Sequence, residues 1–204
     1  MAKNILVLEG TAQWAKVFEP DTKFNPLGDY SINLQMTAAQ AAEMSEQLDQ
    51  IVQAKFNEAI KEDPRLKTTL TTQPVCQPVF DRETGDDTGN VEFKFKLKAK
   101  IQKRDGTWYE QQPAVLDSKK VPVTNDILIG NGSRVKVAFE PIPYVMASTK
   151  KAGVSLRLKA VQVIDLVEYG NSAASVFDEE DGFVAPPATV AANSTGELAD
   201  VADF

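Results

Sequence analysis

Hydrophobic and polar residues alternate along most of this chain, and only once does the period change to that of a helix. The clearest run is Val91 to Arg104, in which Phe93, Phe95, Leu97, Ala99 and Ile101 fall on one parity and Lys94, Lys96, Lys98 and Lys100 on the other. A period of two is that of a half-buried strand. One face is then core, and the other is a row of ammonium groups ~6.7 Å apart, close to the phosphate spacing of an extended single strand of nucleic acid. A solvated edge kept from pairing by its lysines has the same pattern. Tyr30, Ile32, Leu34 and Met36 alternate in the same way, as does Arg134 to Phe139. Asn4 to Leu8 and Trp14 to Phe18 read as two strand pieces around a kink at Glu9-Gly10. In Val154 to Val167, Leu156 and Leu158 face one way and Ser155, Arg157 and Lys159 the other. The apolar set then shifts to Val161 and Val163, which predicts a bulge or burial of both faces.

The helical stretch begins at Thr37, with Gln40 placed to complete a capping box. Ala41, Met44, Leu48, Ile51, Lys55 and Ala59, flanked by Val52, Phe56 and Ile60, mark its apolar stripe, and Asp63-Pro64 ends it. Pro74 and Pro78 predict an irregular or edge segment next. Asp105-Gly106 is a turn signal that returns Thr107, Trp108 and Tyr109 on a following strand, where the two rings cannot both point inward. Gly130-Asn131-Gly132 opens a strand and not a helix, so it is no phosphate-binding fingerprint. Several strands, one helix and no βαβ alternation predict a mainly β fold: an OB-fold-like five-stranded β-barrel plus an amphipathic helix, with a β-sandwich as the alternative.

Charge divides the chain. Of its 29 acids, seven (Asp178, Glu179, Glu180, Asp181, Glu197, Asp200 and Asp203) lie in residues 171–204, which hold no Lys or Arg. Residues 1–170 therefore carry 22 acids against all 22 bases, and the net charge of −7 belongs to the end of the chain. We expect a barrel domain over 1–170 and a disordered acidic tail over 171–204. An anionic ligand for the body is compatible with this layout. The absence of histidine and the single cysteine, Cys76, remove Ser-His and Cys-His catalysis and nearly all zinc sets. With no secretion signal and no apolar run near the roughly 20 residues that span a bilayer, the expectation is a soluble protein inside the cell, with no membrane, cofactor or metal. Asp81, Glu83, Asp86 and Asp87 could hold a metal for a nuclease, but they lack the ladder, glycine and closing glutamate of a calcium loop.

Binding a single strand needs cations along the backbone path and flat side chains for bases, whose stacking contributes ~1–3 kcal/mol each whatever the sequence. The candidate cations are Lys94, Lys96, Lys98, Lys100, Lys136, Arg157 and Lys159; the aromatics are Trp14, Tyr30, Trp108, Tyr109 and Tyr144. Of these, Trp108, Tyr109 and Tyr144 join the cations as expected DNA-binding residues, and no residue is expected to be catalytic.

Gly10-Thr11-Ala12 with Lys16 to Tyr30, Gly130 to Val137, Gly153 to Val163 and an acidic end closing on Phe204 together make the chain similar to the single-stranded DNA-binding replication proteins of bacteriophages, the OB-fold type with an acidic C-terminal tail. The resemblance covers most of the chain. It implies a non-enzymatic protein that binds single-stranded DNA without sequence specificity in phage replication, recombination and repair, in the host cell cytoplasm. It also implies a tail that competes for the DNA groove and recruits replication proteins such as polymerase and helicase-primase, and it leaves room for a homodimer. Asp200, Asp203 and Phe204 are the matching tail residues, while Val184 to Thr195 departs in being Ala/Pro/Thr-rich. A structural or scaffold-interaction protein of a virion, with the lysine row facing acidic protein, is the rival reading.

Overall fold

The computed structural model describes residues 4–124 and 127–168; the expected tail, with Asp200, Asp203 and Phe204, lies outside them. In chain order the elements are β1 (Leu6–Asp21), β2 (Asp29–Thr37), α1 (Ala38–Glu62), a 3-10 turn (Pro64–Thr68), β3 (Thr71–Thr72), β4 (Gln77–Phe80), β5 (Asp87–Lys98), β6 (Lys100–Gln102), β7 (Trp108–Glu110), β8 (Ala114–Leu116), β9 (Arg134–Met146) and β10 (Lys151–Asp165). Five of these close a barrel. β1 pairs with β2, β2 with β5, β5 in parallel with β10, β10 with β9, and β9 returns to β1. Closure removes the open edges on which an isolated sheet would aggregate. The parallel seam is short, Leu156 opposite Phe95 and Arg157 opposite Lys96, before β10 bulges between Leu158 and Ala160 and turns to pair with β8. This is the bulge expected from the shift to Val161.

The alternation of the sequence is the alternation of the barrel wall. Tyr30, Ile32, Leu34 and Met36 of β2 point inward with Phe93, Phe95 and Leu97 of β5 and Val135, Val137 and Phe139 of β9. Phe95 and Phe139 meet ring to ring at 5.0 Å, tilted by 57°. Burying each such side chain contributes about 1.5–3 kcal/mol. Tyr30 is thus a core residue and not a platform for bases; its burial also raises the phenol pKa, helped by Glu110.

Helix α1 carries the capping box: Thr37 Oγ1 accepts from the Gln40 N–H at 3.3 Å, and Gln40 Oε1 accepts from the Thr37 N–H at 3.2 Å. Its stripe packs on the barrel, Ala41 and Leu48 joining the main core and Ala59 meeting Leu70 and Ala152. Asp63 caps the C-terminus as the stop at Pro64 required.

Two strand expectations are corrected. β1 does not kink at Glu9-Gly10. A Cβ on Gly10 would lie 2.9 Å from Met36 Cε and 3.0 Å from the Gln35 carbonyl oxygen, so this glycine lets β1 and β2 approach closely. The irregularity falls instead between Gln13 and Lys16, where Trp14 takes φ 52°. The lysine strand is not one strand either. It starts at Asp87 and breaks at Ala99, whose N–H donates to the Gly28 carbonyl (2.8 Å) while its own carbonyl accepts from the Gln111 N–H (2.9 Å). Beyond that point β6 and β7 form a separate two-stranded hairpin. Arg134 to Phe139 and Pro141 to Met146 conversely form the single strand β9. Pro141 and Pro143 are tolerated because β1 pairs with β9 only up to Phe139, which leaves that side of the strand without a ladder.

Candidate nucleic-acid interface

Lys94, Lys96 and Lys98 stand exposed on the outer face of β5 while Phe93, Phe95 and Leu97 fill the barrel. Strand register carries this face across the sheet. Lys16 of β1 lies opposite Ser31 of β2, Ser31 opposite Lys96, and Lys96 beside Arg157 of β10. Residues paired in this way share a face. A cationic row along β5, ~13 Å from Lys94 to Lys98, is therefore crossed by a second row running over four strands from Lys16 to Arg157. Asn33 lies opposite Lys94 and Ser31 opposite Lys96, while Asp29, whose Oδ1 accepts from Asn25 Nδ2 at 3.0 Å, lies opposite Lys98. At the other end of the row Glu92 accepts from Asn33 Nδ2 at 2.9 Å and from Gln35 Nε2 at 3.0 Å.

The expected cations divide by their partners. Among the described residues, Lys94, Lys96 and Lys98 take part in no ion pair. Arg157 and Lys159 share Glu140, at 3.9 and 2.8 Å. Lys100, on the β6–β7 hairpin, pairs with Glu110 at 2.8 Å, a contact that holds the lysine pKa above its ordinary value. Lys136 is elsewhere: it lies on β9 opposite Glu9, which it contacts at 3.3 Å and shares with Arg134. The exposed Lys100–Glu110 and Lys136–Glu9 pairs contribute at most ~1 kcal/mol each, so an anion can displace their acids; Lys159 and Glu140 are only 27% and 20% exposed. Lys94, Lys96 and Lys98 have no such pair to break.

The aromatics are sorted as well. Both Trp108 and Tyr109 are exposed, at 54% and 50%. The two rings do not both point inward, and in fact neither does, because the two-stranded hairpin has no core to cover on either face. Register separates them: Trp108 lies opposite Gln102 and shares the face of Lys100 and Glu110, whereas Tyr109 lies opposite Ile101, with Lys103 Nζ 5.7 Å from its ring. Trp108 therefore stands on the hairpin face that carries the Lys100–Glu110 pair. Tyr144 shares the parity of Glu140 on β9 and, opposite Gly153, that of Arg157 on β10, so register puts it on the Arg157 side of the sheet. It is half-buried against Gly153 of β10, where an added Cβ would come 2.7 Å from its hydroxyl, and its hydroxyl lies 3.5 Å from Gln73 Oε1.

Lys16, Ser31, Asn33 and Arg82 had no place among the expected site residues. Arg82, in the β4–β5 turn, stands 5.3 Å over the ring of Trp14, and Trp14 is 49% exposed. No periodic signal marks such a pair, because the two residues meet only through the tertiary fold. The acids of the β4–β5 turn serve the turn itself: Asp81 Oδ1 accepts from the Glu83 and Thr84 N–H groups at 2.8 and 2.9 Å, and Asp87 Oδ1 from that of Gly89 at 2.9 Å. These amides hold the Asp81 carboxyl below its ordinary pKa. Among the described residues no group of three or more acids, cysteines or histidines is arranged around a metal, and no helix is long and apolar enough to cross a membrane.

Residues 9–166 match the family model described as single-stranded DNA-binding protein, bacteriophage T7. The single-stranded DNA-binding protein of Escherichia phage T7 is 29% identical over 205 residues, spanning 91% of this chain and 87% of that protein. The crystal structure of gp2.5, a single-stranded DNA-binding protein encoded by bacteriophage T7, superimposes with a TM-score of 0.67 at 26% identity, covering 91% of this chain and 100% of the other. The single-stranded DNA-binding protein from bacteriophage Enc34, solved in complex with ssDNA, gives a TM-score of 0.50 at 13% identity over 80% of this chain and 88% of that one, a likeness of fold.

Proposed function

The chain belongs to the bacteriophage T7 single-stranded DNA-binding protein family, and from that premise we propose that it binds single-stranded DNA without sequence specificity on the outer face of β2, β5 and β10. The observation that carries this reading is the row Lys94, Lys96 and Lys98, in no ion pair among the described residues and joined in register to Lys16 and Arg157. Phosphates lie along the row, and bases turn to the exposed rings beside it. Backbone contacts position a strand without reading it, and stacking accepts any base. The protein acts without catalysis in phage DNA replication, recombination and repair in the host cytoplasm. Residues 171–204 supply a tethered polyanion that competes for the same cations at high effective concentration. Asp200, Asp203 and Phe204 in that segment recruit replication proteins of the polymerase and helicase-primase kind, and self-association as a homodimer is compatible with this scheme.

Titrating oligo-dT with the full chain and with a chain lacking residues 171–204, at two salt concentrations, tests both parts. If about four phosphates are neutralised, log K falls against log salt with a slope of about −3. An affinity indifferent to salt would refute the lysine row. Removal of the tail is expected to tighten binding, and equal or weaker binding would refute the competition.

A further inference from the structure

A cleft of about 270 Å³ opens beside the lysine-bearing face, lined by Trp14, Ala15, Lys16, Leu128, Ile129 and Asn131. Its aromatic wall is built with some care. Trp14 sits in the irregular stretch of β1 between Gln13 and Lys16 with φ 52°, a left-handed backbone that a bulky residue seldom adopts. Its N–H, turned out of the ladder, donates to Asn131 Oδ1 at 2.8 Å. That bond fixes the amide of Asn131, because only the oxygen can accept; Nδ2 is left as a donor on a residue that lines the cleft. The Trp14 ring and Leu128 are about half exposed, at 49% and 57%, so the apolar surface here has not been spent on the core. Cations flank it. Arg82 lies over the ring at 5.3 Å, and Lys16, which an exposed pair links to Asp21 at 3.2 Å, starts the row that runs through Ser31 to Lys96.

We propose that this cleft is a nucleobase subsite: one base of a bound single strand leaves the lysine row at Lys16 and stacks on Trp14, with Asn131 Nδ2 donating to a ring carbonyl and Arg82 beside the neighbouring phosphate. The proposal rests on the single-strand reading above and adds to it where the bases go. The occupant is a flat ring because the wall is flat, and part of an anionic chain because the approaches are cationic. The volume admits one ring and excludes a folded partner. The carbonyl donor favours thymine, cytosine and guanine over adenine, which has none.

The chain has two tryptophans, so Trp108→Phe leaves Trp14 as the only indole. Two oligonucleotides of equal length, oligo-dT and a wholly abasic strand, offer the same phosphates. Binding is followed by anisotropy and stacking by tryptophan emission. Both strands are expected to bind at low salt, and only oligo-dT to quench Trp14. Trp14→Ala should weaken oligo-dT on the order of tenfold and leave the abasic strand unchanged, while Trp14→Phe retains most of the affinity. Saturation by oligo-dT without a change in Trp14 emission, or an equal loss for both strands in Trp14→Ala, overturns the subsite with DNA binding intact. If neither strand binds at all, the single-strand reading fails and the subsite with it.

Discussion

Replacing Lys94, Lys96 and Lys98 together by alanine removes the cations that have no acid to release before meeting a phosphate. Each phosphate neutralised on a single strand contributes about −0.7 to the slope of log K against log salt. Three such contacts account for about −2 of the slope, and between about 50 and 200 mM salt that is a loss of affinity of about 18-fold which the variant should no longer show. Lys136→Ala is the control, since Lys136 is tied to Glu9 on the β1–β9 side of the barrel. It should leave the slope almost unchanged. All three lysines are exposed and unpaired among the described residues, so their loss should alter folding stability by no more than ~0.5 kcal/mol, and a denaturant curve separates binding from folding. The assay is anisotropy of labelled oligo-dT at four or more salt concentrations. A triple variant with the wild-type slope would show that the strand takes another path, and a Lys136 variant with the larger drop would place that path on β9.

Three further outcomes follow from the fold. Phe95→Ala empties a fully buried position against Phe139 and should cost about 3–5 kcal/mol in chemical denaturation; a loss below about 1 kcal/mol would contradict the packing described. Thr37→Ala deletes the side-chain half of the α1 capping box and should cost about 1 kcal/mol, read as a shifted urea midpoint with an unchanged m-value. The Asp81 carboxyl, lowered by the Thr84 and Glu83 amides, should stabilise the β4–β5 turn fully above the ordinary aspartate pKa of about 3.9 and progressively less as pH falls through its lower folded value. Amide chemical shifts of Glu83 and Thr84 followed through acid titration check the sign, and a midpoint at or above the ordinary value would refute it.

Much of the wall of this barrel is legible in the sequence because each strand is dry on one side and wet on the other. Phe93, Phe95 and Leu97 reach the core for the reason that Lys94, Lys96 and Lys98 reach water, and one parity decides both. The helix was equally plain, since the Thr37-Gln40 box and the apolar stripe are local features that tertiary contacts only reinforce. Glycine was less transparent. Gly10 looked like a bend and is instead a point of close approach, a distinction that depends on Met36 and Gln35 of the neighbouring strand.

What the sequence determined by itself, then, is the identity of the faces: which residues are core, which carry charge, and where the acidic end begins at Asn171. It could not determine which faces adjoin. Parity gives a side chain's direction relative to its own strand and nothing about the strand next door. Only closure of the barrel put Lys16, Ser31, Lys96 and Arg157 in one line, tied Lys136 to Glu9 on the β1–β9 side, and detached Trp108 and Tyr109 on a hairpin with no core beneath it. The same closure brought the β4–β5 turn over β1, so that Arg82 covers Trp14. The reason is physical. Alternation is fixed by geometry within a strand, whereas register between strands is set by which arrangement of the whole barrel buries the apolar parity and pairs its backbone.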